Sequence, residues 1–204
     1  MALLHQRPGP ASLELHMHPV IDMNREQFFQ FCQLNRDVRI ERNAEGSITV
    51  MTPAGGETGA RGLFLSAALY RWAEEDGTGV AFDSSTGFEL PNGAVRAPDA
   101  AWVPRNRLAR LSSEDKERFL PLCPDFVVEL LSPSDSRAAA RRKMEEYRAN
   151  GARLGWLIDP ARRQVAIYRA DGSLEQRSEP DFVTGETVLP GFSLDLAALW
   201  KPPF

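Results

Sequence analysis

Three residues have the types that phosphodiester chemistry calls for. Glu129 is the single charge in the apolar run Phe126-Val127-Val128-Glu129-Leu130-Leu131. A carboxylate in a buried strand is costly unless a cation, a metal or hydrogen-bond donors compensate it. Asp99 sits at the Pro98-Asp99 step, where the chain enters a second apolar run at residues 100–103. An Asp and a Glu on adjacent strands can share one divalent cation through hard oxygen ligands. Such a cation activates water and neutralises a phosphodiester in the transition state. Each acid also has a plain reading: a structural ion pair for Glu129, a turn aspartate for Asp99. Lys143 is the third member. It lies four residues before Tyr147, on the same helix face, at the edge of a stripe of Ala140, Met144 and Tyr147. From there its ammonium can reach over the end of the Glu129 strand, to position a nucleophilic water or stabilise developing negative charge. The plain reading is a snorkelling surface lysine. Glu57, at the start of another helix, is a further candidate metal ligand or an acid favoured there by the helix dipole.

The elements that must carry these residues follow from periodicity. Residues 24–34 predict a short helix with Phe28, Phe31, Cys32 and Leu34 on its stripe. Short strands follow near 38–40 and 48–51, turned by Glu45-Gly46. Residues 57–75 predict a longer helix with Phe64, Leu65, Ala68, Leu69 and Trp72 on one face, ended by Gly77 and Gly79. Strands at 86–90 and 94–97 flank Pro91-Asn92-Gly93, a hairpin turn. Residues 105–119 are polar with a helical tendency. The nearly continuous apolar run at 126–131 reads as a central strand buried on both faces. Ser132, Pro133 and Asp135 predict the cap, first position and capping box of a helix running to about residue 149, ended by Asn150-Gly151. Residues 154–158 predict a further buried strand, and 165–168 pair back as a hairpin. The tail predicts a weak strand near 187–189 and a short amphipathic segment at 194–200. Residues 1–20 read as a loose arm and 21–204 as a single domain. The class is α/β, a mixed central sheet flanked by helices, with extra hairpins. No Gly-rich loop follows a strand, so dinucleotide binding and P-loop hydrolysis lose support.

The 204 residues suit one domain. A net charge of −4 argues against a dedicated, tight, non-specific nucleic-acid binder. It leaves room for an enzyme that engages nucleic acid locally, through a metal and a few arginines. Arg137, Arg141, Arg142, Lys143 and Arg148 form one basic group, and Arg105, Arg107 and Arg110 another. Both read as phosphate contacts or as solvated faces, since Glu145 and Glu146 interrupt the first. No apolar stretch reaches the roughly 18 residues of a membrane helix, and the first residues lack a secretory apolar region. Cys32 and Cys123 read as free thiols in a reducing cytoplasm. The histidines at 5, 16 and 18 fall in the arm and are not chosen as ligands.

The order of motifs resembles the PD-(D/E)XK nuclease superfamily and, within it, the Uma-two family of restriction-endonuclease-like proteins. The similar stretches are Pro98-Asp99-Ala100-Ala101-Trp102-Val103 and Pro124-Asp125-Phe126-Val127-Val128-Glu129-Leu130-Leu131-Ser132-Pro133-Ser134-Asp135. Lys143, Tyr147 and Gly155-Trp156-Leu157-Ile158-Asp159-Pro160 follow, and the resemblance spans roughly residues 20–195. It implies a restriction-endonuclease-like core, a divalent metal (Mg²⁺ or Mn²⁺), DNA as substrate and, by analogy, a homodimer. In the superfamily the lysine lies two residues after the Glu, a position held here by Leu131; the resemblance moves it to Lys143. The resulting expectation is a metal-dependent endonuclease. Asp99, Glu129 and Lys143 would be catalytic, Tyr147 would support Lys143, and Asp99, Glu129 and Glu57 would hold the metal. Leu131 and the acidic charge point to the alternative, a catalytically inactive nuclease-fold module that binds DNA or another partner. A third reading is a structural homodimer whose polar site only stabilises the fold.

Overall fold

The computed structural model describes residues 12–201. The chain runs β1 (Ser12–Leu15), α1 (Arg25–Leu34), β2 (Arg39–Arg42), β3 (Ile48–Met51), α2 (Gly56–Asp76), β4 (Gly79–Asp83), β5 (Phe88–Glu89), β6 (Val95–Arg96) and β7 (Ala100–Pro104). Two short helices follow, α3 (Arg105–Leu108) and α4 (Ser113–Lys116), then β8 (Phe126–Leu130), α5 (Arg137–Ala149), β9 (Leu154–Asp159) and β10 (Gln164–Arg169). The chain closes with β11 (Leu174–Ser178), β12 (Phe182–Thr184), β13 (Ser193–Asp195) and α6 (Ala197–Trp200). The central sheet has the order β11-β10-β9-β8-β7-β4. It is mixed: β8 and β9 run parallel, with α5 as their crossover, and the other neighbours are antiparallel. A second, antiparallel sheet has the order β1-β3-β2-β6-β5, and β12 pairs with β13.

The apolar stripes decide which face each helix covers. α2 buries Leu65, Leu69 and Ala73 in a cluster with Phe126, Val128 and Leu130 of β8 and Trp156 of β9. α5 buries Met144 and Tyr147 in a second cluster, with Val127 of β8 and Leu157 of β9. The alternation along β8 therefore sends residues 126, 128 and 130 toward α2, and 127 and 129 toward α5. Each large apolar side chain so buried contributes about 1.5–3 kcal/mol. The small sheet has its own cluster of Phe28, Ile40, Ile48 and Val95, against which α1 packs. Asn24 caps α1 in a capping box with Gln27. The chain passes from the small sheet to the central one through Ala97-Pro98-Asp99, between β6 and β7.

Several local expectations need correction. α5 starts at Arg137 with Ser136 as its cap, not at Pro133. Asp135 Oδ2 does accept from the Ser132 N–H, at 2.7 Å, but within a turn that precedes the helix. Asx and Ser side chains make the same contacts in turns as in caps, so the pattern alone misplaces the start. Of the expected loose arm, residues 1–11 lie outside the described residues, and Ser12–Leu15 is a strand paired with β3. Residues 187–189 form a turn instead of a strand, with Leu189 buried from it; the strands flank it as β12 and β13. β4 and β11 carry no period-two apolar pattern and were not expected: β4 is half-buried, and β11 is a polar edge strand.

Candidate active site

β8 carries Glu129 on the α5 side of the sheet. There Glu129 Oε1 accepts a hydrogen bond from the Tyr147 hydroxyl at 2.9 Å and lies 2.9 Å from Lys143 Nζ. Lys143 and Tyr147 are one helical turn apart on α5, and both reach the same oxygen. β7 pairs with β8 antiparallel, with Ala100 opposite Val128. Continuing that register sets Asp99 beside Glu129. Its Oδ2 accepts from the Leu130 N–H at 2.7 Å, which ties the Asp99 step to β8 directly after Glu129. Asp99 Oδ1 lies 3.6 Å from Arg39 Nη1.

A third carboxylate enters from the small sheet. Glu41 of β2 is only 4% exposed. Its Oε1 accepts from Lys143 Nζ at 2.8 Å and from the Ala97 N–H at 2.9 Å. Its Oε2 lies 3.5 Å from Arg96 Nη1, and Arg96 Nε in turn bonds Glu146 Oε2 at 2.5 Å. Lys143 thus bridges two carboxylates borne on two different sheets.

Burial drives the protonation of this cluster, and the charges decide its direction. Burial pushes the Glu129 carboxyl up to about 7, and the negative charges of Asp99 and Glu41 add to it against the pull of Lys143. Burial acts on Glu41 in the same sense, but Lys143, Arg96 and Arg39 together hold its carboxyl below the usual range. Burial would lower the Lys143 ammonium; Glu129 and Glu41 outweigh it and raise it. Lys143 therefore stays an ammonium through neutral pH, a hydrogen-bond donor and a positive charge but not a base. Burial raises the Tyr147 hydroxyl well above its ordinary value, so it too remains a donor.

A model of the Uma2 family, described as "Putative restriction endonuclease", matches residues 25–197. The chain belongs to the Uma2 family. Among solved structures, the chain is similar to "a putative nuclease belonging to DUF820" from Anabaena variabilis. That likeness has a TM-score of 0.70 and 19% sequence identity, and covers 88% of this chain and 98% of the other. It supports the restriction-endonuclease-like mixed sheet. No curated protein matches this chain. Glu41, Asp99, Glu129, Lys143 and Tyr147 all fall within the stretch the Uma2 model matches.

Of the residues singled out in this Uma2 sequence, Asp99, Glu129, Lys143 and Tyr147 come together. Glu57 does not join them. It lies in the first turn of α2, which packs on the opposite face of the sheet, and its 55%-exposed side chain pairs with Arg61 at 3.1 Å. The basic group on α5 is largely engaged: Arg137 pairs with Asp159 and Arg148 with Glu145, while Arg141 and Arg142 are exposed. In the other group Arg107 pairs with Asp125 and Arg105 donates to the Gly77 carbonyl. Trp102 and Trp156 are core residues. Glu41, Arg39 and Arg96 were missed. They stand in short strands dense with charge, Arg39-Ile40-Glu41-Arg42 and Val95-Arg96, where no apolar run makes one charge conspicuous.

Among the described residues, no three His, Cys, Asp or Glu side chains converge as a metal cluster. Asp99 and Glu129 still suit one class of ion. Mg²⁺-like cations bind through one or two carboxylates and keep waters and substrate phosphates as their other ligands. Glu129 Oε2 accepts no hydrogen bond among the described residues, and the mutual repulsion of the two acids, part of what raises Glu129, is what such a cation relieves.

Proposed function

We propose that this Uma2 chain is a divalent-metal-dependent endonuclease that hydrolyses DNA phosphodiester bonds. The observation that carries the reading is the Lys143 ammonium held 2.9 Å from Glu129, on the strand step where Asp99 is anchored. Asp99 and Glu129 would hold Mg²⁺ or Mn²⁺, which when bound supplies Lewis acidity toward a phosphate oxygen. Lys143 supplies a fixed positive charge and a donor for the water or for the charge that develops on phosphorus oxygens. The Tyr147 hydroxyl fixes the Glu129 carboxylate. The Leu130 N–H fixes Asp99. Arg141 and Arg142, exposed on the same helix, suit contacts to flanking phosphates. Two free cysteines suit the reducing cytoplasm, and no helix among the described residues is long and apolar enough to cross a membrane. The homodimer implied by the family resemblance is read by sizing the purified protein.

The test is incubation with supercoiled and single-stranded DNA, in Mn²⁺ or chelator, beside a Glu129→Ala control. Cleavage that needs the ion and is lost in Glu129→Ala is the expected result. A second reading rests on Arg39, whose guanidinium already sits against Asp99, and on Leu131 at the superfamily's usual lysine position. Together they favour a catalytically inactive module. No cleavage of either DNA form, with retained DNA binding, selects that reading and overturns the first.

A further inference from the structure

We propose that Glu41 is a positioning residue of this site: it clamps the Lys143 ammonium against Glu129 and locks the Asp99 step to the same point. Its catalytic consequence rests on the nuclease reading; its effect on Lys143 does not.

The contacts argue for this role over two others. Glu41 is not placed as a metal ligand, because its oxygens are already occupied. Oε1 serves Lys143 Nζ at 2.8 Å and the Ala97 N–H at 2.9 Å, and Oε2 faces Arg96 Nη1 at 3.5 Å. Nor is it only one half of a buried ion pair. A pair with Arg96 would answer its charge without the oxygen that bridges Lys143 and Ala97. Ala97 is two residues before Asp99, so one oxygen fixes both the ammonium and the backbone that presents the acid. Lysine is a compact charge on a flexible four-carbon stem. With Glu129 alone, that stem could swing. Between carboxylates at 2.8 and 2.9 Å the ammonium has one place to sit. It has three N–H donors. Two go to Glu41 and Glu129, which leaves one for a water or a phosphate oxygen.

The experiment compares wild type, Glu41→Gln, Lys143→Met and the double variant on supercoiled plasmid with Mn²⁺. Glu41→Gln is expected to lower kcat about tenfold or more, with KM for the plasmid within about twofold. In the Lys143→Met background the same change is expected to cost less than about twofold, because the group it positions is gone. An equal factor in both backgrounds overturns the proposal, since a general structural defect acts without Lys143. A second measurement does not depend on activity. The chain has three lysines, and Lys116 and Lys201 are exposed. In limited acetylation with acetic anhydride, read by peptide mass spectrometry, Lys143 is expected to react several-fold faster in Glu41→Gln than in wild type, with the other two as internal standards. Unchanged Lys143 reactivity overturns the clamp. Raised reactivity in a protein that cleaves no DNA overturns the nuclease reading and keeps the clamp. Glu41→Asp keeps the charge one methylene shorter. It is expected to fall between wild type and Glu41→Gln in both assays, and it carries the test if Glu41→Gln does not fold.

Discussion

A Glu129→Gln substitution separates what the site costs the fold from what it does for chemistry. The Glu129 carboxyl is pushed up to about 7 in the folded protein, mainly by burial. A carboxyl whose folded pKa is raised contributes stability that is fully present below its unfolded value, near 4.5, and lost as pH rises through about 7. At 1.36 kcal/mol per pH unit the gap corresponds to about 3 kcal/mol as a ceiling. The pull of Lys143 is already contained in that value; relaxation and water around the buried carboxylate reduce the ceiling, so the expected cost above neutral pH is about 1–3 kcal/mol. Gln keeps the shape and carries no charge. Metal-free Glu129→Gln should therefore match wild type near pH 4 and exceed it at pH 8.5 by about 1–3 kcal/mol, or roughly 3–10 °C in Tm for a chain of this size. Urea unfolding in chelator at the two pH values reads this directly. Adding Mn²⁺ should close or reverse the difference at pH 8.5. A ligand at a hundred times its Kd stabilises the native state by about 2.7 kcal/mol, and only wild type has both carboxylates to bind it. If Glu129→Gln is instead less stable by the same amount at both pH values, Glu129 is a structural partner for Lys143, and the reasoning about its buried charge fails.

Two further outcomes follow from the same contacts. Tyr147→Phe keeps the buried ring and removes only the 2.9 Å hydrogen bond to Glu129. It should cost about 0.5–1.5 kcal/mol in denaturant titrations and lower nuclease activity by less than Lys143→Met does; a loss as large as that of Lys143→Met would give the hydroxyl a direct part in the reaction. Glu57→Gln should leave both Mn²⁺-induced stabilisation and Mn²⁺-dependent cleavage within about twofold, because its exposed side chain pairs with Arg61 on the other face of the sheet. A tenfold loss in either would restore Glu57 as a ligand.

The elements were most legible where one physical signal dominated. The apolar run around β8, the stripe of α2 and the Asn-Gly turn between β5 and β6 each left one reading. Glu129 stood out for the same reason, as one charge in an apolar strand. Asp99 gained meaning only when paired with it. Lys143 and Tyr147 were legible through their four-residue spacing, which the helix converts into a shared face. Glu41 was not legible. Its function depends on the docking of the small sheet against the central one, a tertiary relation with no trace in a four-residue strand. Glu57 erred in the opposite way: an acid in a first helical turn looks alike whether the helix covers the site's face of the sheet or the other. The start of α5 was misplaced because a Ser-Asp turn and a helix cap satisfy the same backbone donors.

The proposed exchange of a strand lysine for a helix lysine has a structural logic. Leu131 extends the pairing beyond β8, its N–H donating to the Ile158 carbonyl at 2.9 Å. It packs against the apolar cluster on the α5 side, as the two-residue spacing from Glu129 requires. That position closes the core beneath the start of α5. The charge comes instead from Lys143, on the helix that returns across the strand, with Met144 and Tyr147 buried beside it. A strand lysine two residues from its Glu is placed by the pleat of one element. Lys143 is placed by α5 on β8 and by Glu41 from a second sheet, so its position depends on every contact that docks them. The site is thus drawn from β2, the link between β6 and β7, β8 and α5, and no one of these segments can hold the ammonium alone. Loosening the small sheet should therefore weaken the reaction before it unfolds the core.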